Sequence, residues 1–159
     1  MKRLLLFAFV IVLPVAAGTM TRTARFTVED LVLDRDAGYD VVNLRGYPAL
    51  GQPGEPLLPM VVHSLVLPSG AVSTGVELTA VEWVDIPGEY RVGPAQPDAI
   101  LPRPGVSDPP RLVSADAGVY ASTEPHPATV LRQLETGTMS GYRIANVELR
   151  PVRYVPATG

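Results

Sequence analysis

The stretch GQPGEPLLPMVVHSLVLP, residues 51–68, decides the fold class that the sequence predicts. Its first part places glycines and prolines close together, and both residue types favour turns. Its second part, residues 60–68, is a nearly continuous apolar run with β-branched side chains, which favour strands. We therefore predict a tight turn at residues 51–56 that leads into a strand buried on both faces.

The same alternation of turns and short apolar segments recurs along the chain. The 14 Gly and 17 Pro residues are spread through the sequence instead of forming one tract. A change of apolar phase near Ala80 predicts a β-bulge. Further strands are predicted at residues 26–28, 39–47, 72–86 and 141–156.

One segment has a helical pattern, residues 126–137, with Pro127 in its first turn and Gly137 as its stop. Residues 93–111 are rich in proline and predict an extended surface loop. Together these features predict an all-β, β-sandwich-like domain with Pro-rich loops and at most one short helix.

The N-terminus has the organisation of a secretory signal peptide. A basic start is followed by ten apolar residues at 4–13 and then by small residues. An apolar segment that spans a bilayer needs roughly 20 residues, so a short membrane anchor is the weaker alternative. We predict a signal peptide at residues 1–18, cleaved after Ala17 or Gly18, and a single domain at 19–159 in the periplasm, at the cell surface or outside the cell.

Charge and cysteine content exclude several classes of function. Without the leader, the chain has 11 basic and 16 acidic residues. This acidic excess disfavours nucleic acid and anionic membranes as partners. The sequence has no Cys, which excludes a Cys nucleophile, a Cys-ligated zinc and disulfides within this chain. No cofactor is predicted.

Isolated residues with catalytic or metal-binding potential have plainer interpretations. Asp34, Asp36 and Asp40 surround a glycine and are typical of a hairpin turn, because the full ligand series of a calcium loop is missing. His63 and His126 lack acidic partners nearby in the sequence and predict neither a metal site nor a catalytic triad. Ser69 lies in LPSGA, residues 67–71, which lacks the context of a nucleophile elbow. We therefore predict no catalytic residue and no metal ligand.

From residue 46 onward the chain resembles the N-terminal propeptide domain of gingipain-type cysteine peptidases, family C25. The resemblance runs in order through GYPALGQPGEPLLPMVVHSLVLPSGA at 46–71, PP at 109–110, YAS at 120–122, HP at 126–127 and GYRIANVELRPVRYVPATG at 141–159. The matching positions of the first segment are Gly51, Pro53, Gly54, Pro56, Leu58, Pro59, Leu67, Pro68, Gly70 and Ala71.

The resemblance implies a non-catalytic, β-sandwich-like prodomain that assists folding of a downstream peptidase and inhibits it until cleaved. Its partner would be the catalytic domain of the cognate gingipain-like peptidase, in cis or in trans. In the family, an exposed prodomain loop offers a basic side chain to the specificity pocket. The candidate here is Arg103, followed by Pro104, in the Pro-rich loop.

Members of the family continue beyond the position of Gly159 into further prodomain strands and a peptidase. The sequence is therefore predicted to be C-terminally truncated relative to them. The alternative is a free-standing extracellular β-sandwich that binds a partner or acts as a spacer.

Overall fold

The computed structural model describes residues 4–15, 18–98 and 112–157, and describes side chains from Gly18 onward. These residues form mostly strands, joined by a 3₁₀ turn at Val28–Asp30 and one short helix, α1, at Ala117–Tyr120. The strands are β1 (Leu4–Val15), β2 (Gly18–Arg25), β3 (Leu31–Asp36), β4 (Tyr39–Leu44), β5 (Ala49–Leu50), β6 (Leu58–Pro59), β7 (Val61–Val66), β8 (Glu77–Ile86), β9 (Leu131–Met139), β10 (Tyr142–Leu149) and β11 (Val152–Tyr154).

Two larger antiparallel sheets and two hairpins make up the domain. In the first sheet β1 pairs with β8, β2 and β11. In the second sheet β10 lies between β7 and β9. Strands β3 and β4 form one hairpin, and the short strands β5 and β6 form another pair.

One apolar core joins the sheets, as expected for a sandwich-like domain. The second sheet contributes Val61 and Leu65 from β7 and Val147 and Leu149 from β10, all of them buried. The core also receives Val42 and Leu44 from β4, and Ile86 and Tyr154 from the first sheet. The Tyr154 hydroxyl donates a hydrogen bond to the backbone oxygen of Tyr90 at 3.0 Å, which satisfies its polar atom in the core.

The structure confirms the all-β class and most of the predicted strands. The segments 39–47, 60–68 and 72–86 contain β4, β7 and β8, respectively, and the segment 141–156 contains both β10 and β11. The register between β1 and β8 shifts at Thr79, one residue from the predicted bulge at Ala80. Ala37 and Gly38 form the turn between β3 and β4, both with positive φ, so the aspartate-rich segment is a hairpin as predicted.

Three local predictions were wrong. Residues 126–137 contain no helix; from Leu131 they form β9, because pairing with β10 outweighs the helical pattern. Residues 26–28 are not a strand: β2 ends at Arg25, and the 3₁₀ turn begins at Val28. Strand β7 is buried on one face only, since Val62 and Val66 are exposed.

Pro151 separates β10 from β11, in agreement with its inability to donate a ladder hydrogen bond. The chain passes at this point from the second sheet to the first. Among the described residues no helix has the length and apolar character needed to cross a membrane.

The one-sided burial of β7 gives a matched pair of substitutions. Val61 is 0% exposed and the adjacent Val62 is 43% exposed. Val61→Ala is expected to lower the free energy of unfolding by about 2 kcal/mol, because it removes two buried methyl groups and leaves a cavity. Val62→Ala, with the same loss of β-propensity, is expected to cost less than half as much. Denaturant unfolding of both variants measures the difference, and equal losses would contradict the assigned faces.

Candidate functional site: the base of the proline-rich loop

The turn at residues 51–56 is packed against the two ends of the Pro-rich loop. Gly54 has φ of +93°, and a Cβ there would lie 3.2 Å from the carbonyl oxygen of Ser114. At Gly51 a Cβ would lie 3.1 Å from the Cβ of Ala95. The close approach of the chain favours glycine at both positions, and the positive φ of Gly54 favours glycine there for a second reason.

Backbone hydrogen bonds join this turn to the outgoing and the returning chain. The Gly54 N–H donates to the Ala95 oxygen at 2.9 Å, and the Ala95 N–H donates to the Glu55 oxygen at 2.7 Å. On the returning side, the Asp116 N–H donates to the Gly54 oxygen at 2.9 Å. We call the turn 51–56 together with residues 93–96 and 113–116 the loop base.

A side chain closes the loop base. The Gln96 amide oxygen accepts from the Val113 N–H at 2.8 Å, and the Gln96 amide nitrogen donates to the Val113 oxygen at 3.1 Å. This two-point pairing imitates one rung of an antiparallel ladder. The sixteen residues between Gln96 and Val113 therefore leave and re-enter the domain at one place.

The returning chain is fixed by α1. The Asp116 carboxylate caps this short helix by accepting from the N–H groups of Gly118 and Val119 at 2.8 and 3.0 Å. The Tyr120 hydroxyl donates to the Val92 oxygen at 2.8 Å. Burial raises the pKa of Tyr120 well above its ordinary value, so this hydroxyl keeps its proton and its hydrogen bond at any physiological pH.

The outgoing chain is fixed by the start of β4. The Arg91 N–H donates to the Asp40 carboxylate at 2.6 Å, and the Asp40 N–H donates to the Arg91 oxygen at 2.8 Å. The Arg91 guanidinium lies 4.8 Å from the centre of the Tyr39 ring, within the range of a cation–π contact. A groove of about 520 Å³ runs along this side of the loop base, between Tyr39 and Leu112.

The predicted inhibitory residues Arg103 and Pro104 lie outside the described residues. The structure describes the loop base, where the chain enters and leaves the segment that contains them. Its contacts fix the positions of Gln96 and Val113, the nearest described anchors on either side.

A buried carboxylate lies beside the same turn. Glu148 on β10 is 7% exposed and accepts hydrogen bonds from the guanidinium groups of Arg132 and Arg150. Burial opposes ionisation of Glu148, but these two hydrogen bonds outweigh it and hold its pKa below the ordinary value. Arg150 also donates to the backbone oxygen of Leu50, directly before the turn. The cluster therefore anchors the turn to the second sheet.

The other candidate residues are placed apart from one another. His63 is half-buried on β7, and Ser69 lies in a turn. His126 has an acidic partner that is distant in sequence, because its Nε2 lies 3.7 Å from the Glu55 carboxylate. Burial of the imidazole lowers the pKa of His126 despite this carboxylate. Within the described ranges no group of three or more His, Cys, Asp or Glu side chains is arranged to hold a metal ion.

Sequence reasoning missed the residues that build the loop base. Gln96 and Asp116 flank a Pro-rich segment, and a polar residue beside prolines carries no signal for pairing across sixteen residues. Glu148 is one of the charged residues in an alternating strand, where exposure is the usual expectation. Asp116 offered the one usable signal, since Asp followed by small residues is a common helix N-cap.

A search of family models finds none that matches the chain, and no curated protein matches it. A solved structure reported as structural insight into the zymogenic latency of gingipain K from Porphyromonas gingivalis is similar in fold. The similarity covers 97% of this chain and 81% of the matched chain, with a TM-score of 0.58 and 18% identity. At the level of the fold, this confirms the resemblance to the gingipain-type prodomain.

The packing of Gly54 gives a prediction that separates contact from backbone strain. Gly54→Ala and Gly70→Ala both place a side chain at positive φ, +93° and +75°, but only Gly54 has a neighbour within 4 Å of the added Cβ. We expect both to lower the free energy of unfolding by about 1 kcal/mol through backbone strain. Gly54→Ala alone should also speed tryptic cleavage after Arg111, because it loosens the returning end of the loop. Equal cleavage rates in the two variants would contradict the role of Gly54.

The buried carboxylate gives a pH-dependent prediction. A carboxyl group whose pKa is lower in the folded than in the unfolded protein stabilises the fold above the unfolded pKa, and this stability is lost as pH falls through the folded pKa. At pH 7, Glu148→Gln should lower the free energy of unfolding by about 2 kcal/mol, because two arginines lose a charged acceptor.

The gap between Glu148→Gln and the wild type should shrink as the pH falls below the ordinary value of 4.5 for this carboxyl. Glu135→Gln, at an exposed position on β9, is the control and should change stability little at any pH. Urea titrations at several pH values measure both, and a gap that grows on acidification would contradict the assignment.

Proposed function

We propose that the chain is the secreted propeptide region of a gingipain-like cysteine peptidase. It acts as an intramolecular chaperone and inhibitor and is itself non-catalytic. The observation that carries this proposal is the fold similarity to the gingipain K zymogen structure over 97% of the chain. The ordered sequence motifs from Gly51 to Gly159 support it independently of the fold.

The partner in this proposal is the catalytic domain of a cognate gingipain-like peptidase, bound in cis or in trans. The leader at residues 1–18 directs the chain out of the cytoplasm, to the periplasm, the cell surface or the medium. A net excess of acidic residues in the mature part suits a protein partner with basic surface and disfavours nucleic acid.

The inhibitory element in this proposal is the loop mounted on the loop base, with Arg103 as the side chain that enters the specificity pocket. An arginine is always charged and offers a planar fork of donors to an acidic pocket. Pro102 and Pro104 on either side restrict the backbone and reduce the ordering entropy lost on binding. Most peptidases cut an Arg–Pro bond poorly, so the loop can occupy the site without rapid cleavage.

The fixed ends of the loop support this role. Because Gln96 and Val113 are hydrogen-bonded to each other, the loop is closed before it meets a partner. On binding, this closed loop therefore loses less conformational entropy than a free segment of equal length would lose.

The test is inhibition in trans of a mature gingipain-type peptidase, with gingipain K as the first enzyme. We expect Arg103→Ala to raise the inhibition constant at least tenfold, a loss of about 1.4 kcal/mol or more. Arg111→Ala is the matched control, since it removes the same charge from the same loop, and should change the constant less than twofold.

Two results would count against the proposal in different ways. Full inhibition by the Arg103→Ala variant would exclude Arg103 as the pocket residue while leaving the propeptide role intact. Failure of the unaltered chain to bind or inhibit any gingipain-type peptidase, or to assist refolding of one, would contradict the propeptide role itself.

A further inference from the structure

The backbone of His126 is held by the buried strand β11. Its N–H donates to the Tyr154 oxygen at 2.7 Å, and its oxygen accepts from the Tyr154 N–H at 2.8 Å. Tyr154 is 1% exposed and belongs to the core. His126 therefore cannot move outward without the loss of two hydrogen bonds to a core residue, so its imidazole must accommodate a change of charge where it lies.

The His126 imidazole faces the turn of the loop base. Its Nε2 lies 3.7 Å from the Glu55 carboxylate, and both side chains line a cavity of about 230 Å³. The two side chains are 20% and 34% exposed, so water screens their charges only in part. The distance is longer than a hydrogen bond, which leaves room for the two groups to approach each other.

Other charged groups line the same cavity, from each element packed against the imidazole. Strand β9 contributes Arg132, and β10 with the residue two positions after Glu148 contributes Glu148 and Arg150. Both arginines donate to Glu148, which offsets part of their positive charge. Glu55 on the turn is the acidic group that the structure places in contact with the imidazole.

The segment that carries His126 has two further charged neighbours. The Arg153 guanidinium on β11 donates to the backbone oxygens of Pro127 and Ala128 at 3.2 and 3.4 Å. Glu124 lines a second cavity beside His126, and its charge acts on Arg153. These contacts hold the chain on the far side of the imidazole from Glu55 and leave the turn as the part that can respond to its charge.

A proton on His126 is unfavourable in the folded protein. Burial lowers the pKa of His126, the Glu55 carboxylate opposes this effect, and the Arg150 charge adds to it. The folded protein therefore binds the proton at a lower pH than the unfolded chain, in which the ordinary pKa is 6.5. The stability that depends on the neutral imidazole is complete above that value and is lost as the pH falls through the folded pKa.

Glu55 connects this titration to the loop. Its carboxylate faces the imidazole, and its backbone oxygen accepts from the Ala95 N–H at 2.7 Å. An imidazolium attracts the carboxylate, and the turn that moves with Glu55 carries the acceptor of Ala95. We propose that His126 is an acid-sensitive contact, whose protonation draws Glu55 toward it, loosens the outgoing end of the loop base and weakens inhibition by the loop. The last step rests on the proposed function, and the first two do not.

NMR hydrogen exchange on the chain alone measures the loosening. Between about pH 7.5 and about pH 5, we expect the protection factor of the Ala95 amide to fall at least fivefold. The titration of the His126 ring, followed by NMR in the same protein, should have the same midpoint as this fall. His126→Gln should abolish the fall. His63→Gln is the matched control and should leave it unchanged, because burial also lowers the pKa of His63, on β7.

Glu55→Gln tests the connection to the turn. It removes the carboxylate that favours the protonated imidazole, so the His126 midpoint and the loss of Ala95 protection should both move to lower pH. A fall that persists in His126→Gln, a fall that follows the His63 midpoint, or no fall in the unaltered chain would overturn the proposal.

Inhibition of a gingipain-type peptidase at the same two pH values tests the last step. We expect the inhibition constant of the unaltered chain to rise at least threefold more on acidification than that of His126→Gln, which corrects for the pH dependence of the enzyme. Equal rises would overturn the link from the loop base to inhibition. No inhibition at either pH would contradict the proposed function, and the exchange result on the chain alone would still stand.

Discussion

The hydrogen bonds of Gly54 connect the outgoing and the returning ends of the Pro-rich loop. Its N–H is bonded to the outgoing chain at Ala95, and its oxygen accepts from the returning chain at Asp116. Any other residue would be strained here, because the backbone has positive φ and the returning chain passes within contact distance. The rest of the loop base follows from this point: the Gln96–Val113 pairing closes the loop, and α1 carries the chain back to the sheets.

A second constraint keeps this turn in place against the domain. Glu148 lies on the core strand β10. The burial of its charge is unfavourable by itself, but the hydrogen bonds from two arginines offset this cost and hold the side chain in one position. One of those arginines, Arg150, reaches the backbone just before the turn. A chain of direct contacts thus links the second sheet, through the buried carboxylate and Arg150, to the loop base.

Sequence patterns located the elements whose signal lies within a few neighbouring residues. Turn chemistry located the β3–β4 hairpin, and apolar alternation located β4, β8 and β10. It failed at residues 126–137, where a helical pattern became β9 because the edge of β10 requires a partner. It also failed to find Gln96 and Glu148, whose partners lie across the fold. Neighbours of that kind are set by tertiary packing, which residue spacing alone does not encode. Arg103 stays a prediction, since it lies outside the described residues.

The closed loop base has a consequence for proteolysis within the loop. If a peptidase cut one bond within residues 97–112, neither new end would be free to diffuse away, because Gln96 and Val113 remain bonded to each other and to the same turn. The two ends would stay at a high effective concentration, so religation would compete with product release. A nick in this loop would therefore leave the domain in one piece, with both new ends held at the loop base.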